Sequence, residues 1–340
     1  MIEQTTANAT RASSTAQEEP PQSRRLVTSL LLRQETTLAV VIVLIGVFVE
    51  LRNSRFTSVA NLTQILQSTV IYFVMACGAA LLMIGGGLDF SVGSVFTLGG
   101  ITTAWTLVHG VAWPAAIALG IGAGSIVGVI NNLIISRLHV PPIIATLGTF
   151  FIILGLNVQI TGGTDILPLP TSFQQLGQTK VLGVSVMILY ALAVGIVFWF
   201  ILQMTRFGVN VRALGGNREA AIGNGVRVQR LDRALYVLAA GMAALAGIIY
   251  AAQVGSGQVE AGGASTTLQV VTVVLIGGTS LFGGLGSITG VAIGAILLSE
   301  IQDGLIVANI PPQYNNVVTG TILICAVAFD YLRRNRLYRR

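Results

Sequence analysis

Arg206-Phe-Gly-Val-Asn-Val-Arg-Ala-Leu-Gly-Gly-Asn-Arg-Glu-Ala-Ala-Ile-Gly-Asn-Gly-Val-Arg-Val-Gln-Arg-Leu-Asp-Arg233 is a polar interval set between two long apolar blocks. Its six arginines (Arg206, Arg212, Arg218, Arg227, Arg230 and Arg233) face only Glu219 and Asp232. An arginine excess in a loop between apolar spans marks the cytoplasmic side of a membrane protein. The interval therefore fixes the sidedness of the chain and reads as a surface for a cytoplasmic partner.

The rest of the sequence supports the membrane assignment. Hydrophobic residues make up 53% of the 340 and charged residues 9%, where about a quarter charged is usual in a soluble domain; mean hydropathy is +0.80. No Asp, Glu, Lys or Arg occurs from Phe56 to Leu88, from Phe90 to Ser136 or from Ala261 to Ser299. Each run exceeds the roughly 20 apolar residues that one helical span requires. The formal charge of +6 does not signal nucleic acid, because most basic residues lie in the N-terminal tail, the 206–233 interval and the end from Arg333 to Arg340; that distribution is topology.

Glycine, proline and the scattered charges divide the chain into ten spans, near 36–52, 62–84, 91–108, 115–135, 143–161, 182–204, 234–253, 266–282, 286–304 and 313–332. The expected fold is an all-α polytopic membrane bundle of about ten transmembrane helices. Residues 1–35, rich in Thr, Ser, Gln and Glu, read as a disordered cytoplasmic tail. Residues 36–332 form the membrane domain and 333–340 a basic cytoplasmic end. Six spans bring the chain to the inside at Arg206 and four more return it there, so both basic clusters land on one face. Forty glycines, as in Gly120-Ile-Gly-Ala-Gly124 and Gly290-Val-Ala-Ile-Gly294, predict close helix packing. Ile84-Gly-Gly-Gly87 with Gly93-Ser94 echoes Ile276-Gly-Gly278 with Gly286-Ser287, as a duplicated unit would.

Two local patterns stand out. In Gly85-Gly-Gly-Leu-Asp-Phe-Ser-Val-Gly-Ser94, a carboxylate sits between apolar segments. Asp89 can cap the following helix, and the same broken element can border a solute path, since irregular backbone at membrane depth is tolerated where it lines a cavity. In the polar interval, Asn217 is a good N-cap, Glu219 suits a first turn, and Gly225 can close a short helix from about Arg218 to Asn224. Val140-Pro-Pro142 marks a helix start. Glu300 and Asp303 are placed near headgroups or water, Glu260 in an outer loop, and Cys77 and Cys325 among small buried residues. The only lysine, Lys180, follows Gln178 and Thr179, so no Gly-x-x-x-x-Gly-Lys-Ser/Thr phosphate loop is present. No catalytic or metal-ligating constellation is recognised.

Gly86-Gly-Leu-Asp-Phe-Ser-Val-Gly-Ser94, Pro141-Pro-Ile-Ile-Ala-Thr-Leu-Gly148, Ile160-Thr-Gly-Gly163, Gly216-Asn-Arg-Glu-Ala-Ala221 and Ile276-Gly-Gly-Thr-Ser-Leu-Phe-Gly-Gly284 occur in that order between about residues 37 and 335. Together they resemble the permease subunits of ribose-type ABC sugar importers of the bacterial inner (cytoplasmic) membrane. The resemblance implies a translocation subunit rather than an enzyme. Its partners would be a cytoplasmic ABC ATPase that holds the ATP, a periplasmic or extracellular sugar-binding protein, and a second permease copy or a paralogue. It makes Gly216, Asn217, Arg218, Glu219, Ala220 and Ala221 part of a cytoplasmic coupling helix that enters the ATPase. It sets Gly86, Gly87, Asp89, Ser91, Gly93 and Ser94 beside the translocation path. The chain departs from the family pattern at Asn224, where serine is common, and at Thr267 and Gln269, where acidic residues are common. A permease for branched-chain amino acids or nucleosides would share the architecture, and an ion-coupled carrier would need buried carboxylates as relays.

Overall fold

The structure is a computed structural model that describes residues 34–311 and 313–338. In chain order the helices are α1 (Gln34–Arg52), α2 (Val59–Ile84), α3 (Val92–Val108), α4 (Trp113–Leu138), α5 (Pro142–Thr161) and α6 (Thr171–Gln178). A two-stranded hairpin follows, β1 (Lys180–Val181) and β2 (Val184–Ser185). Then come α7 (Val186–Met204), α8 (Arg206–Gly216), α9 (Arg218–Gly223), α10 (Val228–Val254), α11 (Ala264–Ile276), α12 (Ile288–Val307) and α13 (Gln313–Tyr338). The tail expected over 1–35 lies outside the described residues except for Gln34 and Glu35, which open α1, and so do the side chains of the basic end, 333–340.

The chain is helical as expected, and each of the ten anticipated spans falls on a helix. Seven of them, α2, α4, α5, α7, α10, α12 and α13, are long and apolar enough to cross a membrane by length and composition. The segments expected at 91–108 and 266–282 are shorter, at 17 and 13 residues. Both begin or end at glycine-rich breaks, which cut short what the apolar run alone would extend. The span expected from 182 starts instead at Val186, because Leu182 (φ 52°) and Gly183 (φ 82°) make the turn of the hairpin, a geometry that glycine tolerates.

The core is built on α2 and α10, which pack on each other and on α3, α4 and α12. Lipid offers no hydrophobic drive between helices, so small residues set the contacts. A methyl on Gly124 would stand 2.5 Å from the Ala244 side chain, and Gly99, Gly100 and Gly128 meet the backbone of α10 at Ala244, Gly247 and Tyr236. Helices α7 and α13 bury little of their surface and present Leu192, Ile196, Phe200, Val317, Ile324 and Phe329 outward. Cys77 is buried as expected, whereas Cys325, on the outward side of α13, is exposed.

Two outer carboxylates, Glu300 and Asp303, depart from the sequence reading. Glu300 and Asp303 are buried, each 7% exposed, because α1 and the start of α2 fold over α12. Asn61 donates to Asp303 at 2.6 Å, and a side chain on Gly46 would meet a Glu300 carboxylate oxygen. Glu260 is exposed, as an outer-loop position would be, in the irregular stretch 255–263, which descends along α3. Gly257 packs on Ala104, and Gly262 on Phe96 and Thr97, a drop of about 10 Å at 1.5 Å per helical residue.

Candidate functional site

The first candidate element is the cytoplasmic interval, where the local chemistry matches the sequence. The Asn217 side chain accepts from the Ala220 N–H at 2.9 Å and starts α9. Glu219 stands in the first turn, where the helix dipole favours an anion. Gly225 (φ 80°) closes the helix, with its N–H on the Ile222 carbonyl and that of Val226 on Ala221, the pairing of a Schellman end. Arg218 forms an ion pair with Asp232 of α10 at 2.6 Å. Gly216, Asn217, Arg218, Glu219 and Ala220 are exposed, and Ala221 is buried and roots the helix. Helix α8, which the sequence reading did not single out within the interval, is amphipathic. Thr205 caps it through the Gly208 N–H, and Val211 and Leu214 enter the main core.

The second is the break between α2 and α3. Helix α3 begins away from solvent, so its free N–H groups need partners, and three elements supply them. The Asp89 carboxylate accepts from the Ser91 N–H at 2.7 Å and its hydroxyl at 2.5 Å. Thr146 of α5 accepts from the Phe90 N–H at 3.1 Å, and Thr267 of α11 from the Gly93 N–H at 3.1 Å. Asn131 of α4 donates to Ser91 Oγ at 3.0 Å and more weakly to Asp89, while Thr149 donates to Asn131 at 2.7 Å. Asn157 donates to the Ser94 carbonyl, and Tyr236 of α10 to the Leu88 carbonyl. Asp89, Ser91 and Ser94 are all buried. Among the described residues, the hydrogen-bond partners of Asp89 are neutral, so this carboxylate is held by dipoles rather than by a cation. Thr267 acts here as a cap in trans, and Gln269 accepts from Tyr72 at 3.0 Å.

The two elements meet. Gly86 (φ 84°) lies beside Gly215 at the end of α8, and Gly283 and Gly284 from the α11–α12 loop complete the contact. Sequence reasoning singled out Gly86 and Gly216 and missed Gly215, Gly284, Asn131 and Tyr236. Asn131 carried a usable signal, an amide in a run free of charge. The glycine contact carried none, because its members are far apart in sequence.

At the other end of the bundle, Val158, Gly163, Asp165, Gln258, Val259 and Glu260 line a polar cavity of about 440 Å³. Asp165 accepts from the Val259 N–H at 2.9 Å, and Gly257 pairs with Ile166 in both directions. These bonds hold the descending stretch in place. Among the described residues, no group of three or more His, Cys, Asp or Glu side chains is arranged to hold a metal ion.

Residues 61–327 match the family described as branched-chain amino acid transport system / permease component. The chain is 31% identical over 291 residues to the D-allose transport system permease protein AlsC of Escherichia coli K12, covering 85% of this chain and 89% of that protein. It is 33% identical over 289 residues to the ribose import permease protein RbsC of Bacillus subtilis 168, covering 84% and 89%. It is 32% identical over 297 residues to the autoinducer 2 import system permease protein LsrC of Salmonella typhi, covering 87% and 85%. No solved structure matches the chain.

Proposed function

We propose that this chain, which belongs to the family of branched-chain amino acid transport system permease components, is the membrane-spanning subunit of an ATP-driven importer of a monosaccharide. It is a multi-pass protein of the inner (cytoplasmic) membrane. The observation that carries the sugar reading is similarity over more than four-fifths of the chain to permeases named for D-allose and ribose. ATP binds in a separate cytoplasmic ATPase, consistent with the absence of a phosphate loop here. An external binding protein delivers the sugar, and a second permease, identical or paralogous, completes the membrane part.

The seven long helices, α1 and the two short helices α3 and α11 together make ten membrane segments within the 36–332 domain. Gly216 to Ala221 engage the ATPase, with α9 as the coupling helix. Its exposed cap, fixed against the bundle by Ala221 and by the Arg218–Asp232 pair, gives a short rigid projection. Gly86, Gly87, Asp89, Ser91, Gly93 and Ser94 border the path, and their partners on α4, α5, α10 and α11 hold the break in shape. Solute crosses by alternating access. The permease offers different affinities in two states, and the ATPase cycle shifts their populations.

The test is uptake of labelled ribose or allose by vesicles holding the assembled importer and supplied with its binding protein. Uptake that requires ATP, survives collapse of ion gradients and is competed by unlabelled monosaccharides is the expected result. Competition by leucine alone would move the substrate to branched-chain amino acids, and uptake driven by an ion gradient without ATP would overturn the importer reading.

A further inference from the structure

Helices α2 and α11 end in the same way. Each runs Ile-Gly-Gly, with the first glycine right-handed (φ −73° at Gly85, −63° at Gly277) and the second at φ 84° (Gly86, Gly278). In α2 the N–H groups of Gly86 and Gly87 bond to Met83 and Leu82; in α11 those of Gly278 and Thr279 bond to Leu275 and Val274. These are equivalent bonds, three and five residues back, so the echo in the sequence is an echo in backbone form.

Both breaks reach the end of α8. The Gly284 N–H donates to the Ile84 carbonyl at 2.8 Å. A methyl on Gly215 would stand 2.6 Å from the Gly284 nitrogen and would overlap the Ile84 carbonyl oxygen. A methyl on Gly283 would stand 2.9 Å from the Gly215 Cα and 3.1 Å from the Gly86 Cα. Three backbones thus touch with no side chain between them, and no rotamer change can absorb a displacement there. The second break is backed in turn by α12, where a methyl on Gly277 would stand 2.7 Å from the Gly290 carbonyl. It is also tied to α13 by Asp330, which accepts from Ser280 and from the Leu281 N–H. Two residues beyond Gly215 the chain enters the capped α9.

We propose that the contact of Gly215 with Ile84-Gly85-Gly86 and with Gly283-Gly284 is the joint through which movement of the cytoplasmic segment reaches both breaks at once. The inference rests on the importer reading above and names the residues that position the path during its cycle. Close-packed contacts of low compressibility transmit displacement, and a contiguous contact of this kind is a physical route for coupling. Gly320 of α13 is the internal control, since a methyl there would meet nothing within 4 Å.

The experiment compares Gly215→Ala and Gly320→Ala in vesicles of the whole importer, with sugar uptake and ATP hydrolysis measured on the same preparation. For Gly215→Ala the ATPase stays bound and hydrolysis continues, while sugar moved per ATP falls roughly ten-fold, within the range of ordinary coupling free energies; Gly320→Ala keeps the wild-type ratio. Gly215→Ala with an unchanged ratio overturns the joint, and so does loss of hydrolysis in proportion to uptake. If Gly215→Ala does not assemble, spin labels on Val209→Cys and Leu285→Cys decide, both exposed and outside the contact. Their separation stays fixed through the ATP cycle if the joint is rigid, and a change of separation during normal uptake overturns it. Failure of the importer reading shows instead in the wild type, as uptake independent of ATP.

Discussion

Asp89 is a carboxylate among apolar helices, and what stabilises it is a set of oriented dipoles from Ser91 and Asn131. Removing a donor leaves a buried acceptor short of partners, which costs more than the bond itself contributes. Asn131→Ala is expected to lower the stability of the solubilised protein by about 2 kcal/mol, seen as an earlier thermal unfolding transition; an unchanged transition would show that Asn131 contributes nothing to holding Asp89. The cap was readable from Asp89, the following Ser91 and the glycines, because an Asp bonding two residues on is local chemistry. The partners supplied by Asn131, Thr146 and Thr267 were not, since they come from three helices whose approach depends on the packing of the whole bundle. Burial of Glu300 and Asp303 was missed for the same reason: their distance from the helix end suggested water, and only the folding of α1 over α12 removes it.

Among the elements, α9 was almost fully legible. Its cap, its acidic first turn and its closing glycine all lie within nine residues. Asn217→Ala removes the acceptor for the Ala220 N–H and is expected to cost about 1 kcal/mol of local helix stability. Hydrogen exchange at Ala220 to Ile222 should then quicken roughly five-fold, while Asn217→Ser should restore protection; equal exchange in wild type and Asn217→Ala would exclude the capping role. Helix α8 escaped the sequence reading because its arginines resemble a solvated connector, and its apolar face, Val211 and Leu214, has meaning only once α2 and α10 provide a surface to receive it. The breaks in α3 and α11 were signalled by glycine, but the shortness of α11 was not. Nothing in Ala261-Gly-Gly-Ala-Ser-Thr-Thr267 says that the chain has already descended beside α3 before the helix begins.

For the whole molecule, the basic interval at 206–233 predicts the orientation of the bundle. In a Cys325→Ser background, a membrane-impermeant thiol reagent applied to intact cells should modify Leu182→Cys, at the tip of the hairpin and 99% exposed, and should leave Gln229→Cys untouched; the reverse pattern would invert the topology. The bundle is asymmetric through its thickness. At the end bearing the hairpin, the 255–263 stretch carries the polar side chains of Gln258 and Glu260 down beside α3, in a cavity of about 440 Å³. At the other end, backbones close on one another around Gly215. A sugar hydroxyl loses several kcal/mol when it exchanges water for hydrocarbon without a partner, and the polar side chains lining that cavity are partners of the kind it needs. On the importer reading, that polar cavity is where a sugar would first exchange water for protein.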